Sequence, residues 1–151
     1  MKLSKERAWD IAFRIADEMW TKHDASVIDT LFAKDAIYRD IAFGFTFEGR
    51  EQVHGYVRDV LNTMNDFFEE LIDVLPINDN VLVARWVYGG TFRNAKLGLE
   101  GKVRLPGTSV ITLRGDEVVI HDDYYSAAEF LDGIGKKGYS VQRFLAEMSG
   151  K

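Results

Sequence analysis

The 151-residue sequence contains no cysteine, only two prolines and only three histidines. Without cysteine, the protein can form no disulfide and can use no thiolate chemistry. His23, His54 and His121 lie far apart and show no His-x-x-x-His spacing, so the sequence predicts no metal site. A Gly-rich phosphate loop is also missing, and we therefore expect no cofactor.

Basic clusters and long apolar runs are missing as well. The formal net charge is -5, and lysine and arginine do not gather in one segment, which argues against nucleic acid as a partner. No apolar run approaches the roughly 20 residues that a membrane helix needs. The first residues predict a charged amphipathic helix instead of an apolar signal core, so we expect a cytoplasmic protein.

The periodicity of apolar residues predicts helices first and consecutive antiparallel strands after them. Ser4, Asp24, Ser126 and Ser140 are candidate helix caps, and the predicted helices cover residues 4–22, 24–32, 53–64, a short segment after 126, and 140–148. Period-two alternation predicts strands at 36–41, 67–75, 81–91, 102–114 and 118–125. The segments 44–49 and 93–101 are expected to be loops. This order favours an α+β fold with one domain over residues 1–151, in which 133–151 form a C-terminal helical extension.

Titratable residues gather at the end of the last predicted strand. Side chains alternate between the faces of a strand, so His121, Asp123 and Tyr125 should share one face, with Asp122 and Tyr124 on the other. A half-buried strand rarely carries three titratable groups in a row unless one of its faces is exposed to solvent or belongs to a functional site. Asp123 is therefore the first candidate for chemistry.

Several segments together resemble the SnoaL-like branch of the nuclear transport factor 2-like superfamily over about residues 6 to 135. The resemblance lies in residues 31–40 (LFAKDAIYRD), 47–53 (FEGREQV), 105–110 (LPGTSV) and 123–125 (DYY), and in Trp86. It implies a cone-shaped α+β fold, in which a curved antiparallel sheet wraps around the N-terminal helices and encloses an apolar pocket. It also implies a homodimer.

Family members assign roles to matching positions here. Asp40 falls where ketosteroid isomerases have their general-base Asp. Tyr38, Arg85 and Asp123 match the Tyr, the Arg and the water-activating Asp of limonene epoxide hydrolases, whereas their epoxide-protonating Asp falls on Val87. His121 with Asp123 is similar to the His/Asp arrangement of SnoaL-like polyketide cyclases.

The resemblance implies that Asp40, Arg85, His121 and Asp123 meet at one end of the pocket. We expect a cofactor-free acid–base enzyme of the isomerase or cyclase type acting on a small, apolar, cyclic molecule. Asp123 and Asp40 would be base and acid in either order, Tyr38 and Arg85 would orient water or substrate, and His121 would tune Asp123. Burial in an apolar pocket would raise the pKa of such carboxyls toward neutrality.

Two other functions stay open at the level of sequence. One is hydrolysis of an epoxide, which ranks lower because Val87 stands where the protonating acid would be. The other is a non-catalytic ligand-binding or dimerising module, in which aromatic side chains would fill the cavity or Asp123 would point to solvent. In that case Trp86 and Tyr88 would be exposed to a partner subunit.

Overall fold

A computed structural model describes residues 2–150, and its centre is one curved sheet of six strands that does not close on itself. The strands are β1 (Phe32–Asp40), β2 (Phe45–Glu48), β3 (Phe68–Pro76), β4 (Val81–Asn94), β5 (Leu99–Arg114) and β6 (Glu117–Tyr125). Their order across the sheet is β2-β1-β6-β5-β4-β3, and every neighbouring pair is antiparallel except β1 with β6. The parallel register of β1 and β6 places Asp40 directly beside Asp123.

Helices cover the concave face of this sheet. They are α1 (Lys5–Phe13), a π-helical segment (Arg14–Thr21), α2 (Val27–Leu31), α3 (Arg50–Thr63), α4 (Ala127–Gly133) and α5 (Val141–Met148). The predicted caps of α1, α4 and α5 are confirmed, because the hydroxyls of Ser4, Ser126 and Ser140 each accept a hydrogen bond from the backbone N–H three residues later, at 3.1 Å. The predicted α+β class is confirmed.

The first predicted helix does not stay α-helical to its end. From Arg14 its backbone widens into a π-helix, and the hydroxyl of Thr21 lies 3.1 Å from the carbonyl oxygen of Ala16, five residues back. The same hydroxyl accepts a hydrogen bond from the backbone N–H of Glu69 at 2.9 Å. This contact fixes the end of the π-helical segment to β3, and π-helical turns are often found at functional sites.

Two predicted loops are partly strand. Phe45–Glu48 forms β2 and pairs with β1, although only Phe47 in it is partly buried. The segment 93–101 is the tip of a long hairpin, in which β4 and β5 are joined by a single 3₁₀ turn at Ala95–Leu97. Within residues 2–150, no helix has the length and apolar character that crossing a bilayer requires.

The core lies between the helices and the concave face of the sheet. The inward face of β4 carries Leu82, Ala84, Trp86 and Tyr88, all at most 6% exposed. The core does not fill this space at one end of the cone. The side chains there leave a cavity, which is the site described next.

Candidate active site

The cavity has a volume of about 470 Å³, and aromatic and aliphatic side chains form most of its wall. That volume lies within the range of small-molecule sites in proteins. The wall comes from the π-helical segment, α3, the strands and the C-terminal helices, and it includes Trp20, Phe67, Trp86, Tyr88, Phe130 and Phe144. Phe144, Leu145 and Met148 of α5 line the cavity, so the final helix of this chain covers its own pocket.

Asp123 is a buried carboxyl that faces this cavity and is 8% exposed. Its Oδ1 accepts a hydrogen bond from the hydroxyl of Ser109 at 2.5 Å, and its Oδ2 accepts one from the hydroxyl of Tyr38. Ser109 in turn accepts a hydrogen bond from the indole N–H of Trp86 at 2.8 Å. Hydrogen bonds from two hydroxyls stabilise the charged form of a carboxyl and fix its orientation.

Asp40 also lines the cavity, and only 4% of it is exposed. Its Oδ2 accepts hydrogen bonds from the hydroxyls of Tyr125 at 2.7 Å and Tyr56 at 3.2 Å, and its Oδ1 accepts one from the backbone N–H of Phe43 at 3.0 Å. Burial raises the pKa of Asp40, the hydrogen bonds from Tyr125 and Phe43 oppose that rise, and the charge of Asp123 adds to it. Two carboxyls of adjacent strands thus face one apolar space.

Tyr38 and His121 lie behind Asp123 and do not line the cavity. Both are almost fully buried, at 0% and 1% exposure, and their rings stack with centroids 4.3 Å apart. The Nδ1 atom of His121 lies 3.3 Å from Oδ1 of Asp123, yet among residues 2–150 it has no hydrogen-bond partner. Burial lowers the pKa of His121 although Asp123 opposes this effect, so the imidazole is neutral at pH 7.

The predicted position of Arg85 in the pocket is wrong. Arg85 lies on the convex face of the sheet, where its guanidinium donates two hydrogen bonds to Asp73, at 2.7 and 2.5 Å. The neighbouring residues Trp86 and Tyr88 turn to the cavity instead, with 4% and 6% exposure. Because strand residues alternate between faces, burial of these two large aromatic rings forces Arg85 outward. The expected exposure of Trp86 and Tyr88 in a non-catalytic module is therefore not found.

Glu69 is a cavity residue that sequence reasoning missed. It belongs to β3, lines the cavity and is 9% exposed. Burial raises the pKa of Glu69 well above its usual value, and the charge of Asp123 adds to that rise. Strand alternation could have separated Glu69 from Glu70, but both faces of β3 carry apolar and acidic residues, so the pattern does not say which carboxyl is inside.

The acidic residues do not form a metal cluster. Over residues 2–150, no group of three or more His, Cys, Asp or Glu side chains is arranged to hold a metal ion. Asp40, Asp123 and Glu69 line the same cavity from three different strands. Their common feature is burial beside apolar walls.

A family model described as a SnoaL-like domain matches residues 14–121. The chain belongs to this SnoaL-like family. The matched range contains all of the predicted site residues except Asp123, which follows it by two positions. The family predicted from the resemblance is therefore confirmed. No curated protein matches the chain.

Solved structures support the same fold for this SnoaL-like protein. A protein from Catenulispora acidiphila with a ketosteroid isomerase-like fold, solved in complex with trimethylamine, is 27% identical, with a TM-score of 0.74 over 83% of this chain and 92% of that one. A candidate SnoaL-like polyketide cyclase from Jannaschia is 16% identical, with a TM-score of 0.74 over 86% and 92%. A phenazine biosynthesis-related protein from Pseudomonas aeruginosa is 12% identical, with a TM-score of 0.76 over 90% of each chain.

Proposed function

We propose that this protein is an acid–base enzyme of the isomerase or cyclase type, which needs no cofactor and acts on a small, largely apolar, cyclic molecule. The observation that carries the proposal is the position of Asp123. Its carboxyl is oriented by two hydroxyl donors, lies beside Asp40 and faces an apolar cavity of about 470 Å³. A cavity of that size holds a ring system and excludes most of the surrounding water.

Asp123 would be the base and Asp40 the acid. Among residues 2–150 no basic side chain stands between them, since Arg85 lies outside, and two adjacent carboxyls without a cation favour sharing one proton. Burial raises the pKa of Asp40, so the shared proton belongs there. Asp123 would take a proton from a carbon of the substrate, and Asp40 would return one to another position. A proton then passes from Asp123 to Asp40, which restores both groups, so the reaction consumes no co-reactant.

Tyr38 and His121 would act through Asp123 and not on the substrate. Tyr38 is fully buried and its hydroxyl is bound to Asp123, so it positions the base. His121 packs against Tyr38 and leaves one ring nitrogen beside the carboxylate. We propose that this neutral ring keeps water away from the back of Asp123.

Hydrolysis of an epoxide is the less favoured alternative. The residue pattern for that reaction places an Arg between two acids, and here Arg85 is bound to Asp73 on the convex face. A non-catalytic ligand-binding or dimerising module is also less favoured. Side chains do not fill the cavity, and Asp123 is buried beside it and does not point to solvent. The Catenulispora relative, solved with trimethylamine, supports the idea that a fold of this kind admits a small organic molecule.

The test uses cyclohex-3-enone, a small cyclic ketone that becomes cyclohex-2-enone when one proton moves between two carbons. Isomerisation is followed by ultraviolet absorbance, and exchange of the α-hydrogens is followed by proton NMR in D₂O. The Asp123→Asn variant should lose about 10²- to 10⁴-fold in rate, which is the usual contribution of a positioned base.

Asp122→Asn is the matched control. Asp122 is the adjacent residue but lies on the opposite face of the sheet, outside the cavity, where it is 6% exposed and accepts two hydrogen bonds of 2.6 Å from Arg39. This variant should keep the wild-type rate. Equal rates for the wild type and Asp123→Asn, with both proteins folded by circular dichroism, would contradict the assignment of Asp123 as the base.

A further inference from the structure

The carboxyl of Glu69 receives no hydrogen bond from the part of the chain that the structure describes. Its backbone is well bound, with the N–H and C=O groups each within 3.0 Å of the Thr21 hydroxyl, but among residues 2–150 no side chain or backbone N–H reaches its carboxyl oxygens. Asp40 and Asp123 differ in this respect, because each accepts at least two hydrogen bonds. Among residues 2–150, Nδ1 of His121 is the only fully buried polar side-chain atom without a partner, so the Glu69 oxygens are accessible from the cavity, where a ligand can satisfy them.

The described lining of the cavity carries acidic groups without a matching basic group. Asp40, Glu69 and Asp123 lie inside it, and the exposed Asp59 lies at its edge on α3. Of the described residues that line it, none is lysine, arginine or histidine. A cleft with low-dielectric walls and charges of one sign concentrates ligands of the opposite sign. Since no basic side chain of the described lining neutralises these carboxyls, any net charge inside the cavity is negative and favours a cation.

Aromatic rings surround the position of Glu69. Tyr88 is its cross-strand neighbour on β4, and Phe67 precedes it by two residues. The ring of Phe67 packs between those of Trp20 and Tyr88, with centroid distances of 4.9 and 5.5 Å. All three rings line the cavity. The faces of tryptophan, tyrosine and phenylalanine attract organic cations, most strongly where water is excluded.

We propose that the cavity binds a small organic amine in its ammonium form, with the N–H group hydrogen-bonded to the carboxyl of Glu69 and the apolar body among Trp20, Phe67 and Tyr88. This inference rests on the proposed function only in using the same cavity, and it narrows the ligand class to an apolar molecule that carries one basic nitrogen. When protonated Glu69 receives an ammonium ion, the carboxyl releases its proton to solvent. The bound pair is then a carboxylate and an ammonium ion, so charge and protons balance.

Three probes of one ring size test this proposal by isothermal titration calorimetry. N-methylpiperidine supplies a ring and an N–H⁺ group, N,N-dimethylpiperidinium supplies the charge without an N–H, and cyclohexanone supplies the ring alone. The wild type should bind N-methylpiperidine at least about 10-fold more tightly than cyclohexanone, the factor expected for a hydrogen bond to a charged group. Titrations in buffers of different ionisation enthalpy should also show proton release on binding the amine.

Glu69→Gln should lower the affinity for N-methylpiperidine at least about 10-fold, abolish the proton release and leave cyclohexanone binding unchanged. Glu70→Gln is the matched control, because Glu70 is the adjacent residue, faces outward beside Arg104 and should affect neither probe. Equal affinity of the wild type for amine and ketone, or an amine affinity unchanged in Glu69→Gln, would overturn the proposal. Cyclohexanone binding without amine preference would leave the acid–base function intact, so the two failures are distinguishable.

Discussion

Replacing Glu69 with glutamine should change how the stability of the protein depends on pH. Burial raises the pKa of Glu69, so the native state keeps a proton that the unfolded chain loses near pH 4.3. Between that pH and the pKa in the folded state, the native protein binds more protons than the unfolded chain. The free energy of unfolding must therefore fall as the pH rises through this window.

The magnitude follows from proton counting. One retained proton costs the native state about 1.4 kcal/mol per pH unit. Glutamine has no proton to lose, so the stability of Glu69→Gln relative to the wild type should increase with that slope and level off above the pKa of folded Glu69. Asp40 contributes a slope of the same sign and His121, whose pKa is lowered, one of the opposite sign. Both are present in each protein and largely cancel in the difference.

Urea unfolding between pH 5 and pH 8, followed by tryptophan fluorescence, measures this difference. Glu70→Gln is again the control, since the Glu70 side chain is 60% exposed and its carboxyl lies 3.4 Å from Arg104. The difference between that variant and the wild type should change by less than about 0.5 kcal/mol over the whole range. A flat difference curve for Glu69→Gln would mean that the Glu69 carboxyl ionises in the folded protein as it does in the unfolded chain, which would refute the reasoning.

Further predictions concern the convex face and the packing behind the site. Arg85→Ala removes an exposed ion pair with Asp73, so activity should persist and the stability measured by urea unfolding should fall by less than about 1 kcal/mol. Gly107→Ala would place a Cβ atom 2.2 Å from the ring of Trp86. The protein should therefore lose about 1–3 kcal/mol of stability, which lowers the midpoint of thermal unfolding. The homodimer implied by the family resemblance would cover exposed apolar side chains such as Leu75, which is 57% exposed. Light scattering should report a dimer, and a monomer would refute this prediction.

The side of the sheet that each residue faces could be predicted only where the alternation is unambiguous. On β6, apolar residues lead into His121 and Asp123, and the structure places both on the concave face, while Asp122 binds Arg39 on the opposite face and Tyr124 is exposed. Alternation is regular from His121 onwards, but the register of β6 against β5 shifts between Val118 and Ile120, and Val118 is fully buried although it stands three residues before His121. A period of two was therefore sufficient only within residues 121–125.

Which face of β4 points into the core could not be predicted in this way. Arg85 shares one face with three valines, whereas Leu82, Trp86 and Tyr88 share the other, so both faces are apolar enough to be inside. Packing decides between them, because the concave side has room for large aromatic rings and the convex side offers Asp73 to the guanidinium. Because of the same ambiguity on β3, the inward position of Glu69 could not be predicted. The family resemblance could not resolve it, since a matching residue type does not report the direction of a side chain.

Tyr125 should control the proton affinity of Asp40, and a substitution separates this effect from mere packing. Tyr125 donates a hydrogen bond of 2.7 Å to Asp40, the strongest influence that opposes the rise in its pKa caused by burial. In Tyr125→Phe the ring stays and the donor is lost, so the pKa of Asp40 should rise further. Carboxyl carbon NMR, with Asp40 assigned through Asp40→Asn, measures this shift. Tyr124→Phe is the matched control, because Tyr124 is 45% exposed and should leave the titration unchanged. An unshifted Asp40 in Tyr125→Phe would mean that Tyr56 and the backbone N–H of Phe43 hold the carboxyl without help from Tyr125.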